Sequence, residues 1–275
     1  MVSQEQRRRQ LAREKFLRQQ QRRTQARRKA RTRNSVIASV LGVIVIGSVA
    51  LYTTGVMKGD DKKDTAAGVT PSATPTSKAP DPCAKPAAGS AKKLSWKKEP
   101  AMTIDTSANY SMKLATTCGD IDIALKTAAA PHTVNSFDFL AGQGYFDHTK
   151  CHRLTTDGIF VLQCGDPQGT GMGGPGYTLP DENLKDKSLK GNKYPAGTVA
   201  MANTGQKHTG GSQFFLVYKD SPLPPSYTPF GTVSDAGMKV LQKIAAAGAQ
   251  AADPTSGNTA PNATVVINKA TVSKS

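Results

Sequence analysis

The sequence predicts a mainly β domain over residues 99–275, a closed or nearly closed antiparallel barrel of eight strands with two helices, preceded by one transmembrane helix and a disordered tether. Three observations carry this expectation. Short β-like runs separated by turn residues recur from about Glu99 onward. Only two stretches repeat apolar side chains at helical spacing. An uncharged run at 34–57 divides a strongly basic N-terminus from a stretch rich in Thr, Ser, Pro and Ala.

Residues 1–33 hold thirteen Lys and Arg against Glu5 and Glu14, so they carry +11 of the formal +16. A block of like charge with Phe16 as its one aromatic is a solvated interaction tail, and nucleic acid is not the expected partner. Anionic lipid of the inner leaflet, at about 1 kcal/mol per basic residue near the surface, accounts for it more simply. Residues 34–57 contain no charged side chain and match the roughly 20 residues a helix needs to cross a bilayer. Charge is heavily positive before this run and nearly balanced over Lys58 to Asp64, which places the N-terminus in the cytoplasm and the rest outside, at a plasma membrane crossed once. A cleavable signal peptide ending near Ser48-Val49-Ala50 is the competing reading. The retained anchor is preferred because the neutral stretch continues through Tyr52 to Met57. Residues 58–98 have almost no large apolar side chain to bury and read as a disordered linker.

The β-like runs begin with YSMKLAT (110–116) and GDIDIAL (119–125), a hairpin around Cys118-Gly119. Pro131 opens a helix in which Val134, Phe137 and Leu140 recur at three-residue spacing, with Gly142 where a cap is expected. Further strand candidates are CHRLTT, IFVLQC, GTVAMA, SQFFLVY, FGTV and ATVVINKATV. A second helix is expected from about Gly237 to Ala247, with Met238, Leu241 and Ile244 on one side.

Quoted together, HR at 152–153, F-x-x-Q-x-G-D at 160–166, G-T-G-x-G-G at 169–174, M-A-N at 201–203 and G-S-Q-F-F at 211–215 resemble the cyclophilin family in both content and order. The likeness runs from about Ile104 to Val272 and includes APHTVNSF at the first helix. It implies an eight-stranded barrel closed by two helices, a groove on one face and peptidyl-prolyl cis-trans isomerase activity without any cofactor. It places Arg153 at the catalytic position and Phe160, Val161, Phe215 and Leu223 in the proline pocket. Gln163 and Gln213 take polar groove positions, Ala202 and Asn203 form a backbone edge for the peptide, and Tyr227 stands where many relatives have His. The chain departs from the resemblance at Val161, where relatives have a larger Met, at Thr204, where they often have Ala, and at Pro222, where they often have Trp. The missing indole implies weak inhibition by cyclosporin-type ligands.

The chemistry suits these residue types. Rotation about X-Pro must break amide resonance against a barrier of about 20 kcal/mol. As the amide twists, its nitrogen regains a lone pair that a fixed guanidinium can meet, an interaction the planar ground state cannot accept equally well. A neighbour such as Gln163 can hold the arginine fork while another N–H faces the substrate. Strict strand alternation does not turn Phe160, Val161 and Gln163 toward one groove, so a bulge or a groove along the strand edge is required.

Cys83, Cys118, Cys151 and Cys164 lie beyond the membrane run, where disulfides persist, and allow three pairings. A hairpin around Asp157-Gly158 would bring 151 and 164 to within the roughly 5.5 Å a disulfide prefers, and Cys83 with Cys118 follows by elimination. Zinc held by Cys118, Cys151, His152 and Cys164 is disfavoured, because no C-x-x-C spacing occurs and adjacent strand residues point to opposite faces. His132, His148 and His208 read as surface residues, while His152 could pack or orient Arg153. The leading expectation is a monomeric, membrane-tethered extracytoplasmic isomerase acting on proline-containing polypeptides. The alternative is a non-catalytic chaperone module with the same groove.

Overall fold

The computed structural model describes residues 80–253 and 257–274, within one compact unit that spans Pro75–Ser275. Its elements are, in order, β1 (Tyr110–Thr116), β2 (Gly119–Leu125), α1 (Pro131–Gly142), β3 (Thr149–Lys150), β4 (Arg153–Leu154), β5 (Val161–Cys164), β6 (Lys193–Tyr194), β7 (Thr198–Met201), β8 (Phe214–Val217), β9 (Ser221–Pro222), β10 (Pro229–Val233), α2 (Asp235–Ala246) and β11 (Val266–Lys274). The first two strands occupy the expected residues, since alternating burial along YSMKLAT and GDIDIAL leaves no other register. Helix α1 begins at Pro131, whose missing N–H costs nothing there, and buries Val134, Phe137 and Leu140. Helix α2 starts two residues before the expected Gly237, because the Ser234 hydroxyl accepts from Gly237 N–H and caps it.

The expected closed eight-stranded barrel is corrected. Nine strands form one curled sheet in the order β3-β11-β1-β2-β10-β7-β8-β5-β4, and β6 with β9 make a separate two-stranded ladder. The edges β3 and β4 follow one another in the chain, separated by Cys151 and His152, yet they lie at opposite ends of the strand order and no ladder pairs them. Cys151 N–H instead donates to Val265 O and Leu154 N–H to Thr259 O, so the backbone itself carries the sheet from one edge to the other. The short strands β3, β6 and β9 had no periodic signal, because two residues show no alternation.

Strands β5, β7 and β8 are buried on both faces, and this positions the site. Leu162, Val199, Met201, Phe214 and Leu216 face the main core, where Phe137 packs its ring against Phe146, Phe214 and Phe230. The alternate residues Val161, Ala200, Phe215 and Val217 face a second, smaller cluster with Tyr194.

No helix among the described residues is long and apolar enough to cross a membrane. The basic segment 1–33 and the expected span 34–57 lie outside the described residues, as does most of the linker. Its last part, residues 80–98, has neither helix nor strand, yet it lies along the domain. The Cys83–Cys118 disulfide fastens it, and the Trp96 ring packs against Phe139 and Tyr145 with centroids 5.1 and 5.9 Å away. The packed chain therefore starts well before Glu99.

Candidate active site

The hairpin of β4 and β5 turns at Asp157-Gly158, with Gly158 at φ 69°, a conformation glycine adopts without strain. Its register sets Arg153 directly opposite Gln163. Arg153 Nη1 donates to Gln163 Oε1 at 3.2 Å, Gln163 Nε2 to Gln213 Oε1 at 2.9 Å, and Gln213 Nε2 to the Gly173 carbonyl at 2.9 Å. This relay runs across β4, β5 and the entrance of β8 and ends on a loop. It holds the guanidinium from one side, as expected of Gln163, and leaves the other donors of the fork to the groove.

Beside Arg153 lies a pocket of about 110 Å³ lined by Ile159, Val161, Gln163, Ala202, Asn203, Phe215, Leu223 and Tyr227. Its floor is the smaller apolar cluster, and its aromatic wall is a set of edge contacts, Phe215 to Tyr227 at 5.5 Å and Tyr194 to both at 6.2 Å. Tyr227 is fixed through its backbone: its N–H donates to Tyr194 Oη at 3.1 Å, and that hydroxyl donates to Tyr227 O at 2.7 Å. Burial pushes the Tyr194 hydroxyl up to about 12, so it stays a neutral donor throughout the physiological range.

One expected pocket residue is corrected. Phe160 does not line this cavity; its ring meets Tyr218 edge-on at 5.9 Å, with Lys219 Nζ 4.5 Å above its face. Ile159, in the bend before β5, takes its place beside Val161 and Gln163, which are two residues apart and share one face of the strand. The bulge that Phe160 would have required is therefore unnecessary.

Asn203 and Thr204 begin the loop after β7. Asn203 Nδ2 donates to Ser226 O at 2.8 Å, Thr204 Oγ1 lies 3.0 Å from Thr209 Oγ1, and Ala202 N–H reaches Gln213 O at 2.9 Å. The main chain of Asn203 makes no backbone hydrogen bond among the described residues, leaving an edge on which an extended peptide can pair. Pro222 is exposed and held in the β6–β9 ladder, so the rim there offers no indole.

The loop that receives the relay is organised by Asp166, which is fully buried. Its carboxylate accepts from the backbone N–H groups of Gln168, Thr170, Gly171 and Gly173 and from the Thr170 hydroxyl. A methyl group at Gly173 would collide with that carboxylate. Burial works to raise Asp166, but these donors outweigh it and hold the carboxyl below the usual carboxylate range. A depressed folded-state value means the loop's stabilisation is complete above the unfolded value of about 3.9 and is lost as pH falls through the lower folded one. Asp166→Asn is expected to cost about 2–3 kcal/mol at neutral pH. The gap between wild type and variant should narrow below about pH 4, as thermal melts across the acid range would show.

His152, next to Arg153, is buried, and neither ring nitrogen has a hydrogen-bond partner. Burial, and secondarily Arg153, push its pKa down against the pull of Asp166, so the ring is neutral at physiological pH. It packs beside the arginine without bonding to it. His132 instead pairs with Glu99 at 2.7 Å. Both expected disulfides are present, Cys151–Cys164 and Cys83–Cys118, with Cα separations of 4.0 and 4.3 Å. No sulfur remains for the zinc set considered from the sequence.

The family model for "Cyclophilin type peptidyl-prolyl cis-trans isomerase/CLD" matches residues 111–272. This chain is a cyclophilin. The probable peptidyl-prolyl cis-trans isomerase B of Mycobacterium leprae is 51% identical over 149 residues, covering 51% of this chain and 50% of that protein. Its counterpart in Mycobacterium tuberculosis is 49% identical over 149 residues, covering 51% and 48%. The peptidyl-prolyl cis-trans isomerase cypE of Dictyostelium discoideum is 41% identical over 138 residues, covering 49% of this chain and 83% of that one. The chain thus spans about half the length of the mycobacterial relatives it matches. In this cyclophilin Arg153, Val161, Gln163, Ala202, Asn203 and Phe215 border one cavity, and Phe160 does not border it.

Proposed function

We propose that this cyclophilin is a peptidyl-prolyl cis-trans isomerase that acts on proline-containing polypeptides outside the cytoplasm. One observation carries the reading: a guanidinium, Arg153, is held by Gln163 at the mouth of a small apolar pocket that fits a pyrrolidine ring. The ring anchors in the pocket, the flanking peptide pairs along Asn203, and the residue before proline swings. The guanidinium then meets the lone pair that forms on the twisted nitrogen, stabilising the transition state more than either planar state. No bond in the substrate is made or cleaved.

Two disulfides support an oxidising compartment for the domain. Anchoring by residues 34–57, with the basic segment 1–33 against anionic lipid on the cytoplasmic side, completes the proposal. The domain works as a monomer. A protease-coupled assay on a short X-Pro peptide should show catalysed isomerisation well above the spontaneous rate, which takes tens of seconds. Peptide binding without acceleration would leave a binding module instead. Cyclosporin-type ligands should inhibit only at micromolar concentration or above, since Pro222 offers neither an indole N–H nor a broad aromatic face; nanomolar inhibition would contradict the reading of that rim. Protease added outside intact cells should remove the domain and spare residues 1–33.

A further inference from the structure

The segment before the family-matched region does more than lead into it. Residues 80–104 run along the domain as a strap, secured at many points. Beyond the Cys83–Cys118 bond, Ala87 N–H donates to Asn268 Oδ1 at 3.0 Å and Lys92 Nζ to Gln143 O at 2.9 Å. Trp96 N–H reaches Pro175 O at 2.8 Å, and Thr103 N–H reaches Asn135 Oδ1 at 2.8 Å. Lys97 and Lys98 sit between two of these fixed points, the packed Trp96 and the Glu99–His132 pair at 2.7 Å. Their backbone is held where a free linker would wander.

Both lysines line a second, much larger cavity of about 1060 Å³. That cavity adjoins the proline pocket, since Gln163, Ala202 and Asn203 border both. Its charged lining consists of Lys97, Lys98 and Glu99. Glu99 is already occupied by His132, whereas neither lysine makes an ion pair or side-chain hydrogen bond among the described residues, and both are exposed. Two further carboxylates nearby are engaged: Asp166 is buried and held by its loop, and Glu182 accepts from the His132 and Thr133 N–H groups and the Thr133 hydroxyl. The cavity therefore presents two exposed ammonium groups against one carboxylate, a net positive lining, to whatever enters it.

An extended peptide advances about 3.3 Å per residue, so with proline in its pocket a residue two or three positions away reaches this cavity. We infer that the strap is a specificity element: Lys97 and Lys98 select polypeptides that carry Asp or Glu two or three residues from the isomerising proline. This rests on the isomerase reading above. It differs in being a property of residues 97 and 98, which precede the matched region 111–272. Ion pairs in a solvated cavity are individually weak, so the preference for an acidic over a basic peptide should be about three- to tenfold and should fade with salt.

The test uses the full chain in neutral detergent and five peptides of one length. One is Ala-Pro in an alanine background; the others place Glu or Lys two residues before or two residues after the proline. Isomerisation is read by NMR exchange, which needs no coupling protease, and dissociation constants are measured in parallel. The expected result is a Glu-over-Lys ratio of at least about three on one side of the proline at low salt, collapsing near 0.5 M salt. In Lys97→Glu/Lys98→Glu the ratio should invert, and in Lys93→Glu, an exposed strap residue off the cavity, it should stay as in wild type. Equal rates on Glu and Lys peptides, a ratio unchanged in the double variant, or a ratio lost in Lys93→Glu would each overturn the assignment. Failure to turn over the alanine peptide would overturn the isomerase reading alone, and the dissociation constants would still decide whether the strap selects acidic peptides.

Discussion

Replacing Arg153 by alanine is expected to lower kcat/KM on an X-Pro peptide by about 100-fold or more, the size of effect seen when one preorganised donor to a developing charge is removed. The arginine is partly exposed and forms no ion pair among the described residues, so its loss leaves only Gln163 Oε1 without a partner. Stability should change by about 1 kcal/mol or less, and peptide affinity by a few-fold, because the apolar pocket remains. That combination separates a transition-state role from a packing role. Arg153→Lys should recover little. An ammonium keeps the charge, but it has no planar fork with which to bond Gln163 and present a second donor at the same time. A variant with wild-type kcat/KM would remove the guanidinium from the mechanism.

Loss of either disulfide should be the largest change in stability. Cys151 and Cys164 are 13 residues apart, and closing a loop of that length stabilises by about 3 kcal/mol; the 35-residue separation of Cys83 and Cys118 corresponds to about 4 kcal/mol. Paired substitutions to alanine, followed by denaturant unfolding, would measure both. Their functional consequences should differ. Cys151 and Cys164 sit next to His152-Arg153 and Gln163, so opening that bond frees the end of the hairpin that aligns Arg153 with Gln163, and kcat should fall. Cys83–Cys118 fastens the strap, and without it the alanine peptide should be turned over as before. Unchanged unfolding midpoints in both variants would show that the rest of the fold supplies that constraint without them.

Much of this arrangement was legible in the chain because it follows from local periodicity. Alternation in 110–125 specified the first hairpin and its register, and the spacing of Val134, Phe137 and Leu140 specified α1. The hairpin that pairs Arg153 with Gln163, and with it the Cys151–Cys164 bond, could be read from two β-like runs about an Asp-Gly turn. Phe160 was misplaced for an instructive reason. Motif order identifies which residues belong to a site, but Phe160 lies just before β5, where contacts with Tyr218 and Lys219, distant in sequence, hold its ring outside the pocket that Ile159 borders.

The strap was not legible at all. Residues 80–98 are poor in large apolar side chains, and composition alone describes a free linker. Their position depends on partners far away in sequence: Thr117, Asn268 and Gln143 for its backbone and lysine, Phe139 and Tyr145 for Trp96. No pattern within the segment announces such contacts.

The sequence by itself determined the charge asymmetry about an apolar run, the family and its motif residues, the cysteine set and most of the long elements, because each is written in neighbours a few positions apart. Only the tertiary structure decided that the sheet ends are joined through Cys151 and His152 instead of pairing, that Ile159 replaces Phe160 in the pocket, and that Lys97 and Lys98 border the groove. Those outcomes depend on which distant surfaces meet when the sheet curls, and short-range periodicity carries no record of that.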